Sequence, residues 1–392
     1  MQNIDFLAGM RYIFTMDGKI SRIIAEDISR KFFKGKVIVV YGPRQSGKTT
    51  LVKEMLQEMA VSPVFLNGDD DLDVHYFDTV TASRWTQLMG EKKVVFVDEG
   101  QKIQNLGRAV KLLVDSRDDV QVVITGSSSF TLANSVEEPL TGRKFEYRLF
   151  PLSYAELAKH FGVLDESKKL ELRLIYGSYP EVVTNEGGVK ETLKMLADSY
   201  LYRDLMQYEG IRKPAVLEKL LRAVALQVGS EVSYNELAGL IGVSRTLVES
   251  YLKILEQAFI IFPLASYSNN LRNEIKKGVK YYFWDNGIRN AVLNDFTPVP
   301  QRNDVGALWE NYAISERMKR NAYSRADGLP YFWRTTDQME VDYLEVCGSK
   351  IKAFEFKWNP KKKSRITKAF TNRYPDAEIE TVTPENFGEW VG

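Results

Sequence analysis

The sequence predicts an α/β fold built on a buried parallel sheet, and three stretches carry that expectation. The apolar run Val37-Ile38-Val39-Val40 passes into Gly42-Pro43-Arg44-Gln45-Ser46-Gly47-Lys48-Thr49 and then into the helix-forming Thr50-Leu51-Val52-Lys53-Glu54-Met55-Leu56. Strand, glycine-bounded loop and helix start come in the order that a phosphate-binding loop requires. A second run, Val94-Val95-Phe96-Val97, ends in the carboxylates Asp98-Glu99. A third, from Val120 to Ile124, ends in Thr125-Gly126-Ser127-Ser128-Ser129. Unbroken apolar runs mark strands covered on both faces, and such sheets bind ligands at their carboxyl ends.

The 392 residues suffice for roughly two to four domains. With 44% hydrophobic and 12% aromatic residues the chain can pack cores, which excludes wholesale disorder. A formal charge of +1 offers no global basic field, so any nucleic-acid contact has to come from a local patch. One cysteine, Cys347, excludes an internal disulfide framework, and two histidines, His75 and His160, argue against a histidine metal centre or triad. No stretch reaches membrane-spanning length and the N-terminus lacks a signal pattern, so a soluble cytoplasmic protein without a membrane partner is expected.

The first site follows from the loop. Gly42, Pro43, Arg44, Gln45, Ser46, Gly47, Lys48, Thr49 and Thr50 form the expected cradle for ATP, with backbone N–H groups turned to the phosphates at a helix N-terminus. Lys48 reaches the β/γ oxygens and the Thr49 hydroxyl ligates Mg²⁺. Asp98 holds that Mg²⁺ through its water shell, and Glu99 orients and deprotonates the attacking water. Ser127 or Ser128 either sits between γ-phosphate and water or caps the next helix; both readings stand. Arg143, a permanent cation on the loop after the hydroxyl-bearing strand, is a candidate to reach the γ-phosphate in its own subunit or, in an oligomer, a neighbour's. Arg44 and Arg203 are its rivals.

These residues, together with Leu140-Thr141-Gly142-Arg143, Leu149-Phe150-Pro151-Leu152-Ser153-Tyr154-Ala155-Glu156-Leu157, Tyr176-Gly177-Ser178-Tyr179-Pro180-Glu181 and Tyr202-Arg203-Asp204-Leu205, resemble the AAA-type ATPases of prokaryotes. In that family the ATPase is fused to a winged helix and a C-terminal nuclease-like domain of unknown function. The resemblance implies a P-loop core over 1–155, a helical lid over 156–213, a winged helix over 214–270 and a nuclease-like domain over 271–392. Gly177-Ser178 departs from the family's double glycine.

The residues support that division on their own terms. Isoleucines 20, 23, 24 and 28 with Phe32 fall at helical spacing, Pro63–Asn67 reads as a strand, Asp69-Asp70-Asp71 as an acidic turn, and Gln101–Asp115 as a helix. Residues 156–212 are helical in pattern. From Val216 to Val228 another helix is expected, then a helix-turn-helix from Val232 to Leu252, with Ser233 and Ser244 as N-caps, Gly242 in the turn and a strand over 259–264. Its second helix carries Arg245 and Lys253 but also Glu249 and Glu256, a mixed face that favours packing or regulation over reading DNA. Arg272, Lys276, Lys277 and Lys280 are candidates to place positive charge on the wing.

The C-terminal segment has a second constellation. Strands are expected at Lys280–Trp284, Tyr331–Arg334, Met339–Val346 and Ile351–Trp358, and a helix from Gly306. In the last strand Phe354, Phe356 and Trp358 share one face while Glu355 and Lys357 share the other. With Asp342 on the preceding strand and Glu310 on the helix, the order matches PD-(D/E)XK nucleases, a restriction-endonuclease-like α/β fold. Asp342, Glu355 and Glu310 then hold Mg²⁺, and Lys357 steers the attacking water. Lys361-Lys362-Lys363, Arg365 and Lys368 either grip phosphates or form a solvated loop. The expected function is Mg²⁺-dependent ATP binding and hydrolysis coupled to a nuclease-like domain directed at DNA or RNA. The alternative is an ATP-dependent switch or DNA-binding regulator whose nuclease-like domain is an inactive scaffold.

Overall fold

The computed structural model describes residues 19–77, 81–127, 140–185, 187–198, 205, 211, 213–268, 278–335, 339–362 and 366–392. The α/β expectation is met by two sheets. The first has strands β1 (Val37–Tyr41), β2 (Val64–Asn67), β3 (Val94–Asp98), β4 (Gln121–Gly126) and β5 (Lys144–Arg148) in the order β2-β3-β4-β1-β5. Every pairing in it is parallel. All residues of β1, β3 and β4 are buried, as unbroken apolar strands demand. On one face Ile24, Ile28 and Phe32 pack with Leu51, Val52, Met55 and Leu56. They lie on or near helices α1 (Ile24–Ser29) and α2 (Lys48–Glu58).

Helix α3 (Tyr154–Phe161) starts at a full capping box, with Ser153 accepting from Glu156 N–H and Glu156 accepting from Ser153. Short helices follow through Leu196, in the segment expected to be helical. The next elements are α4 (Pro214–Leu226), α5 (Tyr234–Ile241) and α6 (Arg245–Gln257). Ser233 and Ser244 cap α5 and α6 as expected, and Gly242 takes φ +79° between them, the left-handed conformation open to glycine.

The second sheet runs across the expected division at 270/271. Its strands β6 (Glu231–Val232), β7 (Ile261–Ser266), β8 (Val279–Phe283), β9 (Leu329–Arg334), β10 (Glu340–Cys347), β11 (Lys350–Phe356) and β12 (Glu378–Val382) run in the order β12-β11-β10-β9-β7-β8-β6. The division at 270/271 falls between β7 and β8, which pair antiparallel from Ile261↔Phe283 to Ala265↔Val279. Strand β8 therefore belongs with the preceding helices, because its rings need β7: Tyr282 stacks on Phe262 with centroids 5.8 Å apart. Arg272, Lys276 and Lys277 lie outside the described residues. Strands β7 and β9 join in parallel register over Ala265↔Tyr331 and Ser266↔Phe332, so one sheet crosses both segments.

A helix of 20 residues, α7 (Val305–Ser324), packs on β8 and β11. At 1.5 Å per residue it is about 30 Å long. Cys347 ends β10 and is exposed. No described helix is long and apolar enough to cross a membrane.

Candidate functional site

The loop after β1 is shaped by its glycines. A Cβ on Gly42 would overlap the Leu149 carbonyl oxygen, and Gly47 holds φ +93°. Lys48, 4% exposed, then opens α2, and its ammonium donates to the carbonyls of Gly42 (3.0 Å) and Pro43 (2.8 Å). Burial brings the Lys48 pKa down to about 8, against the opposing pull of Glu99 and Asp98. Thr49 Oγ1 lies 2.9 and 2.8 Å from the two Asp98 oxygens, and Thr125 Oγ1 also donates to Asp98. A hydroxyl and a carboxylate adjacent at the loop are hard oxygen donors of the kind that suits Mg²⁺, so these two residues fit that ion.

Glu99 adopts φ +51°, unusual for a residue with a side chain. Its carboxylate accepts from Gln101 Nε2 at 2.5 Å, and the same amide donates to Ser127 Oγ at 2.9 Å. Ser127 N–H returns a bond to Gln101 Oε1 at 3.3 Å. Glu99 and Ser127 are thus brought together, by a residue that sequence reading passed over. Its one signal was its place two residues after Glu99. Arg44 is half-buried and close enough to act on Lys48. Gln45 and Thr50 are exposed. Ser128, Ser129, Arg203 and the 202–204 motif lie outside the described residues.

Arg143 is displaced from its expected role. It precedes β5 at the end where Val37 begins β1, its carbonyl accepting from Val37 N–H. Phosphates would sit beyond Tyr41, the partner of Arg148 at the other end. A strand of five residues separates the two ends by roughly 16 Å, so Arg143 does not reach the loop of its own chain. The exposed side chain pairs with Asp115 instead.

A different arginine touches the loop. Arg22, buried before α1, donates to the carbonyls of Ser46 (2.6 Å) and Phe150 (2.6 Å) and to Glu156 Oε1 (3.0 Å). Burial opposes its charge, and Glu156 more than restores it. Tyr323, on the last turn of α7, accepts from Phe150 N–H at 3.2 Å and from Arg22 Nη2 at 3.5 Å. Arg22 therefore bridges the back of the loop to the helix that carries Glu310. No motif flagged Arg22, because what it recognises are backbone carbonyls far apart in sequence.

The second constellation lines a cavity of about 650 Å³ with Glu310, Asp342, Phe356, Lys357, Trp358 and Lys362 among its walls. Asp342 accepts from Phe356 N–H at 2.9 Å. Burial and then the nearby Glu310 push its pKa up to about 7, against Lys280 and Lys357. Glu355 is 4% exposed and its carboxylate is 2.5 Å from Lys357 Nζ. Lys280 is the surprise. Expected as surface charge on a wing, it is 1% exposed and bonds to Glu340, with Glu310 Oε1 at 3.5 Å. Tyr282, two residues on, donates to Glu310 Oε1 at 2.6 Å. Sequence reading named neither Glu340 nor Tyr282 for this site.

Glu310, Asp342 and Glu355 do not form a ready metal centre. Among the described residues no group of three or more carboxylate, histidine or cysteine side chains is gathered for an ion. Lysines already answer the carboxylates: Lys280 stands by Glu310 and Glu340, Lys357 by Glu355. The donor set as it stands does not fit a resident divalent ion.

Three family models match separate parts of the chain. Residues 34–158 match the family model of an AAA domain. Residues 167–298 and 305–385 match two domains of unknown function, DUF8612 and DUF4143. An uncharacterized protein of Methanocaldococcus jannaschii is 25% identical over 93% of this chain and 84% of its own length. One of Haemophilus influenzae is 27% identical over 78% of each chain. The ORC2 protein of Aeropyrum pernix in its ADP form has a TM-score of 0.37 and 15% identity, over 74% of this chain and 96% of that one. The family match spans both the β1–loop–α2 segment with Lys48 and Thr49 and the end of β3 with Asp98 and Glu99, so residues 34–158 are similar to an AAA domain with a P-loop.

Proposed function

We propose that the chain binds Mg²⁺·ATP at residues 42–50 and hydrolyses it by in-line attack of water. The observation that carries this reading is the meeting of Lys48, Thr49, Asp98, Glu99 and Ser127 at the carboxyl end of one parallel sheet. Lys48 leaves its loop carbonyls to neutralise phosphate charge, Thr49 and Asp98 hold Mg²⁺, and Glu99 takes the proton of the attacking water. Gln101 fixes Glu99 relative to Ser127. Lys48→Ala should abolish nucleotide binding, whereas Glu99→Gln should keep binding and stop turnover, read by nucleotide titration and phosphate release. Unchanged turnover in Lys48→Ala would sink the assignment. An arginine acting on the γ-phosphate from Arg143 would have to come from a neighbouring subunit, in an oligomer.

The C-terminal pocket supports a second reading, a nuclease-like site directed at DNA or RNA. Its support is that Asp342 and Lys357 open into one cavity with Glu310, with Glu355 paired to Lys357 behind them. Incubation with DNA and RNA, in Mg²⁺ or EDTA and with or without ATP, tests it. Metal-dependent cutting that disappears in Glu355→Ala with Lys357→Ala would bear it out. The buried Lys280 speaks for the alternative, an ATP-driven switch with an uncatalytic scaffold, which predicts a nucleotide-dependent change in oligomeric state without cleavage.

A further inference from the structure

Several acids of the C-terminal pocket have oxygens that are already taken. Glu310 Oε1 accepts from Tyr282 and faces Lys280. Glu340 gives one oxygen to Lys280, and its other lies 3.6 Å from Arg334 Nε. Asp342 gives an oxygen to Phe356 N–H. The Lys280 ammonium also lies 5.2 Å from the centre of the Phe332 ring, a second attraction for a cation. Its backbone is fixed between β7 and β6, at Leu264 and Glu231. A lysine pinned on both sides and 1% exposed has little room to swing out into water.

The charges nearly balance. Glu310, Glu340, Asp342 and Glu355 face Lys280, Arg334 and Lys357. Buried carboxylates without a counter-charge are costly, and here the chain supplies its own. A divalent ion entering here would meet an ammonium already in place.

We infer that Lys280 is a built-in counter-cation to Glu310 and Glu340, and that the pocket of the free chain excludes metal. The inference concerns the chain without nucleotide, and it predicts no metal-dependent cutting at this pocket in that state.

Mn²⁺ binding to the full chain without nucleotide, followed by electron paramagnetic resonance and thermal shift, tests it. Wild type should bind no ion that Asp342→Asn removes. Lys280→Met, neutral and of similar length, should gain one Mn²⁺ site tightened about ten- to a hundredfold, and adding Asp342→Asn should remove it. Wild-type binding lost in Asp342→Asn, or no gain in a folded Lys280→Met, would overturn the inference. If Lys280→Met does not fold, Lys280→Met with Glu340→Gln removes the pair together and should regain the fold; continued failure to fold would count against the pairing. Because the readout is bound metal, loss of the nuclease reading and loss of this inference are separate outcomes.

Discussion

Lys48 shows how a single side chain can be ready for its ligand and still be held from it. Its ammonium rests on two carbonyls of its own loop, in a buried site that lowers its pKa to about 8 from an ordinary 10.5. A triphosphate placed there favours the charged form. Below pH 8 the free chain already carries the proton, so nucleotide affinity should be level. Above it the proton has to be taken up on binding, and affinity should fall as pH rises from about 8 towards 10. Titration calorimetry at pH 8.5 in two buffers of different ionisation heat should show proton uptake; equal heats would contradict it. Lys48, Thr49, Asp98 and Glu99 were legible in the sequence because their spacing is dictated by strand, loop and helix geometry. The distance of Arg143 from its own loop was not legible, because sequence order does not say which end of β5 it occupies. Lys280 was misread because it lies in a charged stretch, and only the fold turns it towards Glu310 and Glu340.

At the level of elements, the contacts of α7 are what no motif announced. Glu310 stands near its start, and Glu316, Lys319 and Tyr323 follow on the way to its end. Glu316 accepts from Tyr154 N–H at 2.6 Å, and Lys319 reaches the Leu152 carbonyl at 3.4 Å. With Tyr323 on Phe150 N–H, three residues of one helix hold the segment that leaves β5. Tyr323→Phe removes the acceptor of that N–H while keeping the ring, so unfolding should become easier by about 1 kcal/mol. Urea denaturation of the variant would measure this, and an unchanged midpoint would show that water replaces the hydroxyl. The helix itself was visible from Gly306 onward. Its partners were not, since they are backbone groups over 150 residues away. The β7–β8 hairpin was missed for a related reason: a strand flanked by turns reads alike whichever sheet receives it.

For the whole molecule, the segments recognised separately are joined by contacts that ignore their boundaries. Phe150 stacks on Trp284 with centroids 4.2 Å apart, and Asp285 accepts from Ser178 N–H at 2.7 Å. Asn290 donates to the carbonyls of Leu174 and Ile175. One apolar cluster runs from Val37 through Leu220 and Tyr282 to Val391. A chain of this length ordinarily melts in stages. Here calorimetry should find a single transition, with fluorescence and circular dichroism midpoints coinciding; a separate early transition would show that one segment unfolds alone. The proposed nucleotide site and the C-terminal pocket share one helix, and ligands at both would obey a thermodynamic symmetry. Glu310 and Tyr323 are 13 residues apart on α7, about 20 Å along its axis. Whatever free energy a nucleotide transmits along that helix to the pocket, a ligand in the pocket must return in equal amount and with the same sign to the nucleotide. Traffic between the two ends of α7 cannot be one-way.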